Sequence, residues 1–135
     1  MKILAIDTSS DVCSTAILEN EKLIDENNLD NGKTHSENLM PLIQELLNRN
    51  NLNVKDIELI ACSVGPGSFT GIRIGVSSMK PIAEVLNIPV VSVTSLETLA
   101  ENVRKDGIRV ALIDAKNNQV YCGIFNRRRC NIHCR

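Results

Sequence analysis

The chain has 135 residues, 43% hydrophobic and 23% charged, with a formal net charge of −1. That apolar share builds one core of ordinary domain size and excludes wholesale disorder. The near-neutral balance excludes a protein that holds nucleic acid through its overall field, and 2% aromatic residues leave no platform of rings for single-stranded bases. No apolar run approaches the roughly 18–20 residues that cross a bilayer. The start, Lys2 followed by Ile3-Leu4-Ala5-Ile6 and then Asp7, is too short an apolar run for a signal peptide, so the expected compartment is the cytoplasm. Five cysteines would stay reduced there, and an odd number fits no closed disulfide framework.

Residues 1–6 are aliphatic and run into the polar turn Asp7-Thr8-Ser9-Ser10. A second run covers residues 12–18, Asn20-Glu21 makes another turn, and a third stretch runs from Lys22 to about Asn28. Short apolar runs separated by Asp, Ser and Asn predict consecutive antiparallel strands in a three-strand meander. The period then changes. Leu39, Leu42, Ile43, Leu46 and Leu47 recur at three- and four-residue spacing, which predicts a helix with one apolar stripe. Thr34 and Glu37 have capping-box spacing, Pro41 predicts a kink or a loosened first turn, and the Asn-rich residues 48–53 end the helix.

Residues 57–64 predict a buried strand, broken by Gly65-Pro-Gly-Ser-Phe-Thr-Gly71. A second helix is expected from about Thr70 to Leu86, bent at Pro81. Residues 88–93 predict a short strand and 95–104 a third helix with Ser95 as N-cap. After the turn Lys105-Asp-Gly107, residues 108–114 end in Asp, a polar turn covers 115–118, and residues 119–125 read as another strand. Strand, Asp, polar turn, strand thus occurs twice, by chance or by duplication. Under duplication, residues 1–106 are one lobe and 107–135 the incomplete start of a second. A copy without its helices cannot cover its sheet.

The Gly-rich loop matches neither the phosphate loop of nucleoside triphosphatases, since Ile72-Arg73 follow Gly71, nor the dinucleotide fingerprint, since position 70 is Thr70. Two readings stay open: a strand-to-helix turn that cradles an anion, or a tight connection in which glycine permits close packing. Asp7, Thr8 and Ser9 likewise read as a phosphate- or metal-facing turn or as an ordinary hairpin turn. His35 heads the first helix, but Leu39 stands four residues on, where a second metal-ligating histidine would share its face. Cys122, Cys130, His133 and Cys134 lack the paired knuckles of a zinc site, and Arg127, Arg128, Arg129 and Arg135 make the tail basic. Cys13 and Cys62 read as small core residues.

The block Ser63-Val-Gly-Pro-Gly-Ser-Phe-Thr-Gly-Ile-Arg-Ile-Gly-Val76 strongly resembles the TsaB (YeaZ) family. Ile6-Asp-Thr-Ser-Ser10, His35-Ser-Glu with Leu39 to Ile43, and residues 110–125 agree with it, so the resemblance reaches about Phe125. It implies an α/β fold of the actin-like ATPase (ASKHA) superfamily: an RNase H-like lobe with a mixed sheet and flanking helices, plus the first hairpin of a second lobe. It also implies a non-catalytic, activating subunit that dimerises with TsaD, joined by the ATPase TsaE. TsaD transfers a threonylcarbamoyl group to N6 of an adenosine beside the anticodon of tRNA. By this resemblance tRNA is met only through the complex, ATP is used by the partners, and no cofactor belongs to this chain. TsaD-like proteins carry H-x-E-x-H on the first helix; here the last position is Leu39, which implies neither a held metal nor transferase chemistry.

The expected docking surface is the stripe Leu39, Leu42, Ile43, Leu46 and Leu47, with Ile72 and Val76 of the second helix, set against TsaD or, in isolation, against itself. Leu46→Asp is then expected to abolish association and leave the lobe folded. Asp7, Thr8, Ser9, Gly65, Gly67, Ser68, Thr70 and Gly71 are the candidate anion or nucleotide loop. The rivals are a catalytic member of the superfamily, a small-molecule kinase or metallopeptidase-like enzyme, and a direct tRNA-binding module, which the charge disfavours. Two departures stand out: Pro81 replaces the family's usual Gly, and residues 126–135 resemble no continuation of the family. The hairpin over residues 110–125 would expose an apolar face, so self-association is expected.

Overall fold

The computed structural model describes residues 1–30 and 34–126. Three strands open the chain: β1 (Lys2–Asp7), β2 (Cys13–Glu19) and β3 (Lys22–Leu29). They pair antiparallel as the meander predicted from the sequence. Asn20 and Glu21 take φ of 49° and 67°, the left-handed geometry that lets a two-residue turn follow the twist of its strands. Helix α1 (His35–Arg49) leads to β4 (Leu59–Ser63), α2 (Phe69–Leu86) to β5 (Val90–Val93), and α3 (Ser95–Glu101) to the hairpin β6 (Ile108–Lys116) and β7 (Gln119–Asn126). Strand β4 lies parallel to β1, and β5 parallel to β4, giving the order β3-β2-β1-β4-β5. The hairpin β6–β7 is a separate two-stranded sheet.

One face of the large sheet carries the core. Alternation along β1, β2 and β4 turns Leu4, Ile6, Cys13, Ile17, Ile60 and Cys62 to the same side, where α1 and α2 cover them. The α1 stripe closes this core: Leu39, Leu42, Ile43, Leu46 and Leu47 are all at most 4% exposed. The stripe predicted as a docking surface is therefore the inner face of its own lobe. The same periodicity serves a helix packed on its own sheet and a helix packed on a partner. Here the sheet takes it. Ile72 is also half-buried, its side chain tucked beneath Gly65, and among the seven predicted interface residues only Val76 is exposed, at 38%.

Caps and breaks differ in detail from the expectations. Thr34 makes no side-chain cap bond; its hydroxyl lies 3.0 Å from the Ser36 hydroxyl instead. The complete capping boxes are Asn53 with Asp56, ahead of a short 3-10 turn, and Thr94 with Glu97 on α3, so Thr94 rather than Ser95 is the cap. Ser95 turns inward, donating to Ser9 Oγ at 2.9 Å and lying 3.2 Å from Ser63 Oγ. Both α1 and α2 run on through Pro41 and Pro81, whose rings are exposed. The middle of β3 is clasped to the C-terminal end of α1: Arg49 gives Asp25 a bidentate pair at 2.7 and 2.9 Å, and Asn50 adds a bond at 2.7 Å.

A second, smaller core joins α3 to the hairpin through Leu96, Ala100, Ala111 and Phe125. Arg109 reaches from β6 to the C-terminal end of α3, donating to the Ala100 carbonyl at 2.8 Å and pairing with Glu101 at 2.8 Å. The two hairpins also share a turn. Asp7 Oδ1 accepts from the Ser9 N–H at 2.7 Å, and Asp114 Oδ1 accepts from the Lys116 N–H at 2.8 Å. The sequence repeat is thus matched by the same carboxylate-to-backbone bond two residues on.

Candidate functional site

Two places gather the residues singled out by sequence. The first is the meeting of the β1–β2 turn with the Gly-rich loop. Strand β1 delivers Asp7, Thr8 and Ser9 to the point where β4 ends and α2 begins. Ser68 N–H donates to the Ser9 carbonyl at 2.7 Å, and Thr8 Oγ1 donates to the Gly71 carbonyl at 2.8 Å. A side chain at Gly67 would collide with the Ser9 carbonyl, and one at Gly71 with the Thr8 carbonyl. Backbone lies directly on backbone here, so these two glycines permit close packing. At the head of α2, Ser68 Oγ accepts from the Gly71 N–H at 3.2 Å and caps the helix from within.

Beside this junction a recess of about 410 Å³ is lined by Asp11, Asp30, Thr34, His35, Ser68, Thr70, Gly71 and Ile74. Two carboxylates in its wall oppose a phosphate, whatever the helix ends offer. His35 Nε2 lies 2.7 Å from the Ser10 carbonyl, while its Nδ1 is buried without a hydrogen-bond partner. Leu39, where a second histidine would stand, is 1% exposed in the core. Among the described residues no three His, Cys, Asp or Glu side chains converge as a metal would require. Behind the junction burial pushes the Cys62 thiol up to about 11 and raises that of Cys13, with Asp7 adding to both. These are packed thiols, not nucleophiles. Cys122 is half-buried on β7; Cys130, His133, Cys134 and the tail arginines lie outside the described residues.

The second place is the outward seam between α1 and α2. A groove of about 370 Å³ runs along it, floored by Leu4, Ile43 and Leu47 and rimmed by Met40, Gln44, Pro81 and Val85. Met40 is 47% exposed and Val85 84%. Neither was singled out from sequence. The signal was there: both are apolar residues off the core-facing stripe of a helix, Met40 one turn before Gln44 and Pro81 one turn before Val85.

A sequence profile of the family described as TsaD, tRNA N6-adenosine threonylcarbamoyltransferase, matches residues 29–130. The tRNA threonylcarbamoyladenosine biosynthesis protein TsaB of Bacillus subtilis is 43% identical over 93% of this chain and 55% of its own length. The protein of that name from Escherichia coli is 35% identical over 94% of this chain and 56% of its own. This chain thus spans about half the length of the curated relatives it matches. In three dimensions it superposes on YeaZ from Pseudomonas aeruginosa with a TM-score of 0.85 at 28% identity, over 99% of this chain and 64% of that one. A structure described as an N-acetylglucosamine kinase from Porphyromonas gingivalis, 14% identical with a TM-score of 0.55 over 46% of its length, shares the fold alone. The mixed sheet, its flanking helices and the start of a second sheet are those of the actin-like superfamily, and the chain belongs to the TsaD family of that profile as a TsaB (YeaZ) member.

Proposed function

We propose that this chain is the non-catalytic partner in threonylcarbamoyl transfer to tRNA, working by docking on TsaD through the seam between α1 and α2. The observation that carries the non-catalytic part is Leu39. At the position where TsaD-like proteins place their second metal-binding histidine, this chain buries a leucine side chain in its core. One histidine with its ring already against the Ser10 carbonyl is not a ligand pair.

The groove supplies the docking surface. An apolar floor with exposed Met40 and Val85 at its rim is the arrangement in which a few side chains dominate the affinity of a helix-to-helix contact. Methionine suits such a surface, because its unbranched thioether adapts to the partner. TsaE and tRNA are reached through the assembled complex, and the chain works without a cofactor of its own. Among the described residues no helix is long and apolar enough to cross a membrane, and the proposed compartment is the cytoplasm.

Reconstitution tests this. The chain is mixed with TsaD, TsaE, tRNA, ATP, threonine, bicarbonate and an enzyme that makes the threonylcarbamoyl adenylate. Modified adenosine should form only when TsaD is present, and should fall when Val85→Asp is used. Modification by this chain without TsaD would overturn the proposal.

A further inference from the structure

The two helices that wall the α1–α2 groove are held to the sheet by different means. Helix α1 seats five large aliphatic side chains, Leu39, Leu42, Ile43, Leu46 and Leu47, in the core. The buried face of α2 is Gly71, Gly75, Met79 and Ala83, three small residues and one large one at four-residue spacing. Small residues let a helix backbone approach its neighbour closely, so the height of α2 above the sheet is set by what stands beneath them. Beneath the first two stands Thr8, one residue past β1 and 1% exposed. Its hydroxyl donates to the Gly71 carbonyl at 2.8 Å, which holds the side chain in one rotamer. A Cβ at Gly75 would lie 2.5 Å from that same Oγ1, but 3.7 Å from the Thr8 Cβ and 3.5 Å from Ile6 Cδ1, both ordinary contact distances. A Cβ at Gly71 meets the Thr8 backbone carbonyl instead, which no change of side chain can remove.

We propose that Thr8 is a positioning residue for the docking seam. Its side chain, seated between Gly71 and Gly75, sets how closely α2 lies on the sheet, and so how far Pro81 and Val85 stand from Met40 and Gln44 across the groove. The inference rests on the docking role proposed above for that groove. Thr8 meets no partner itself; it acts through α2. That helix runs unbroken through Pro81 to Leu86, and Val85 lies about 15 Å along it from Gly75 at a rise of about 1.5 Å per residue. Raising the Gly75 end while Met79 and Ala83 stay seated tilts α2 about its middle. The rim that carries Val85 then moves against a floor that Leu4, Ile43 and Leu47 hold in the core. Leu4 lies on the strand that delivers Thr8, so floor and spacer share one rigid element. Helix-to-helix contacts depend on a few well-packed anchors, and a displaced rim costs affinity even where every side chain of the seam is unchanged.

Calorimetric titration of TsaD with the 135-residue chain and its variants tests this, each fold being checked by circular dichroism. Gly75→Ala should bind at least ~5-fold more weakly than the unaltered chain. Gly75→Ala/Thr8→Ala should regain that affinity, because the added methyl then meets only ordinary contacts. Gly71→Ala/Thr8→Ala should stay as impaired as Gly71→Ala, since its obstacle is backbone. Should Gly75→Ala fail to fold, Thr8→Val takes its place. A methyl cannot stand 2.8 Å from the Gly71 carbonyl as the hydroxyl does, so α2 must give way. Affinity should then fall ~5-fold, while Thr8→Ser, which keeps the hydroxyl, leaves it unchanged. Val85→Asp in the same series reads the docking role alone: if it binds as the unaltered chain does, that role fails and this inference with it. If Val85→Asp binds weakly, three results overturn the positioning role and leave docking standing. These are normal binding by Gly75→Ala, rescue by Thr8→Ala of neither or of both glycine variants, and equal binding by Thr8→Val and Thr8→Ser.

Discussion

Gly71 shows how one missing methyl group decides a local structure. In mid-helix, alanine gains roughly 1 kcal/mol over glycine. At this position its Cβ would meet the Thr8 carbonyl, a backbone atom held by the sheet, so α2 must lift from the β1–β2 turn. Gly71→Ala is expected to lower stability by about 1–3 kcal/mol net, read from urea denaturation. If the loop is a packing device, ATP at millimolar level should also leave the melting temperature unchanged; a rise would revive the nucleotide reading of Asp7, Ser68 and Thr70. Cys13 and Cys62 should resist iodoacetamide near pH 8 in the folded protein, because burial holds their thiols protonated, and react once it is unfolded. Sequence identified these residues but not their use: a glycine that faces a phosphate and one that faces a carbonyl look alike until the neighbouring strand is placed.

At the scale of elements, most of the fold was legible. Short apolar runs between polar turns located β1 to β3, the three-and-four spacing located α1, and the breaks at Asn20, Gly65 and Gly107 fell between elements. The partner of the α1 stripe was not legible, because amphipathicity states that a face is covered without stating by what. The correction carries its own test. Leu46 is fully buried, so Leu46→Asp should fail to fold, with the far-ultraviolet signal lost, rather than fold without its partner. Two clasps between elements can be tested as well. Arg49 and Asn50 hold the Asp25 carboxyl below its ordinary 3.8, so this tie is present above that value and is lost as pH falls through the lowered pKa. Amide exchange in β3 should accelerate over that acid range, and should already be fast in Asp25→Asn. Arg109→Ala removes buried bonds to the end of α3 and should loosen the β6–β7 hairpin by about 1.5–3 kcal/mol.

Across the whole molecule, the chain is one helix-covered five-stranded sheet joined through α3 to a bare hairpin. The Asp turn of the first hairpin recurs in the second, with the same carboxylate-to-backbone bond. Apolar groups reach the surface at the α1–α2 groove, at a larger recess of about 670 Å³ between α2 and β5 that Val76 lines, and on the outer face of β6–β7. A polar junction filled by its own backbone, with apolar groups open at the seam, supports the proposed action by docking on TsaD. Isothermal titration of TsaD with this chain, its Val85→Asp and Met40→Asp variants and an exposed control, Ser77→Asp, tests that most directly. The chain and the control should bind, and the two seam variants should lose at least ~10-fold in affinity with their folds intact. Equal binding by all four would contradict docking at the α1–α2 seam.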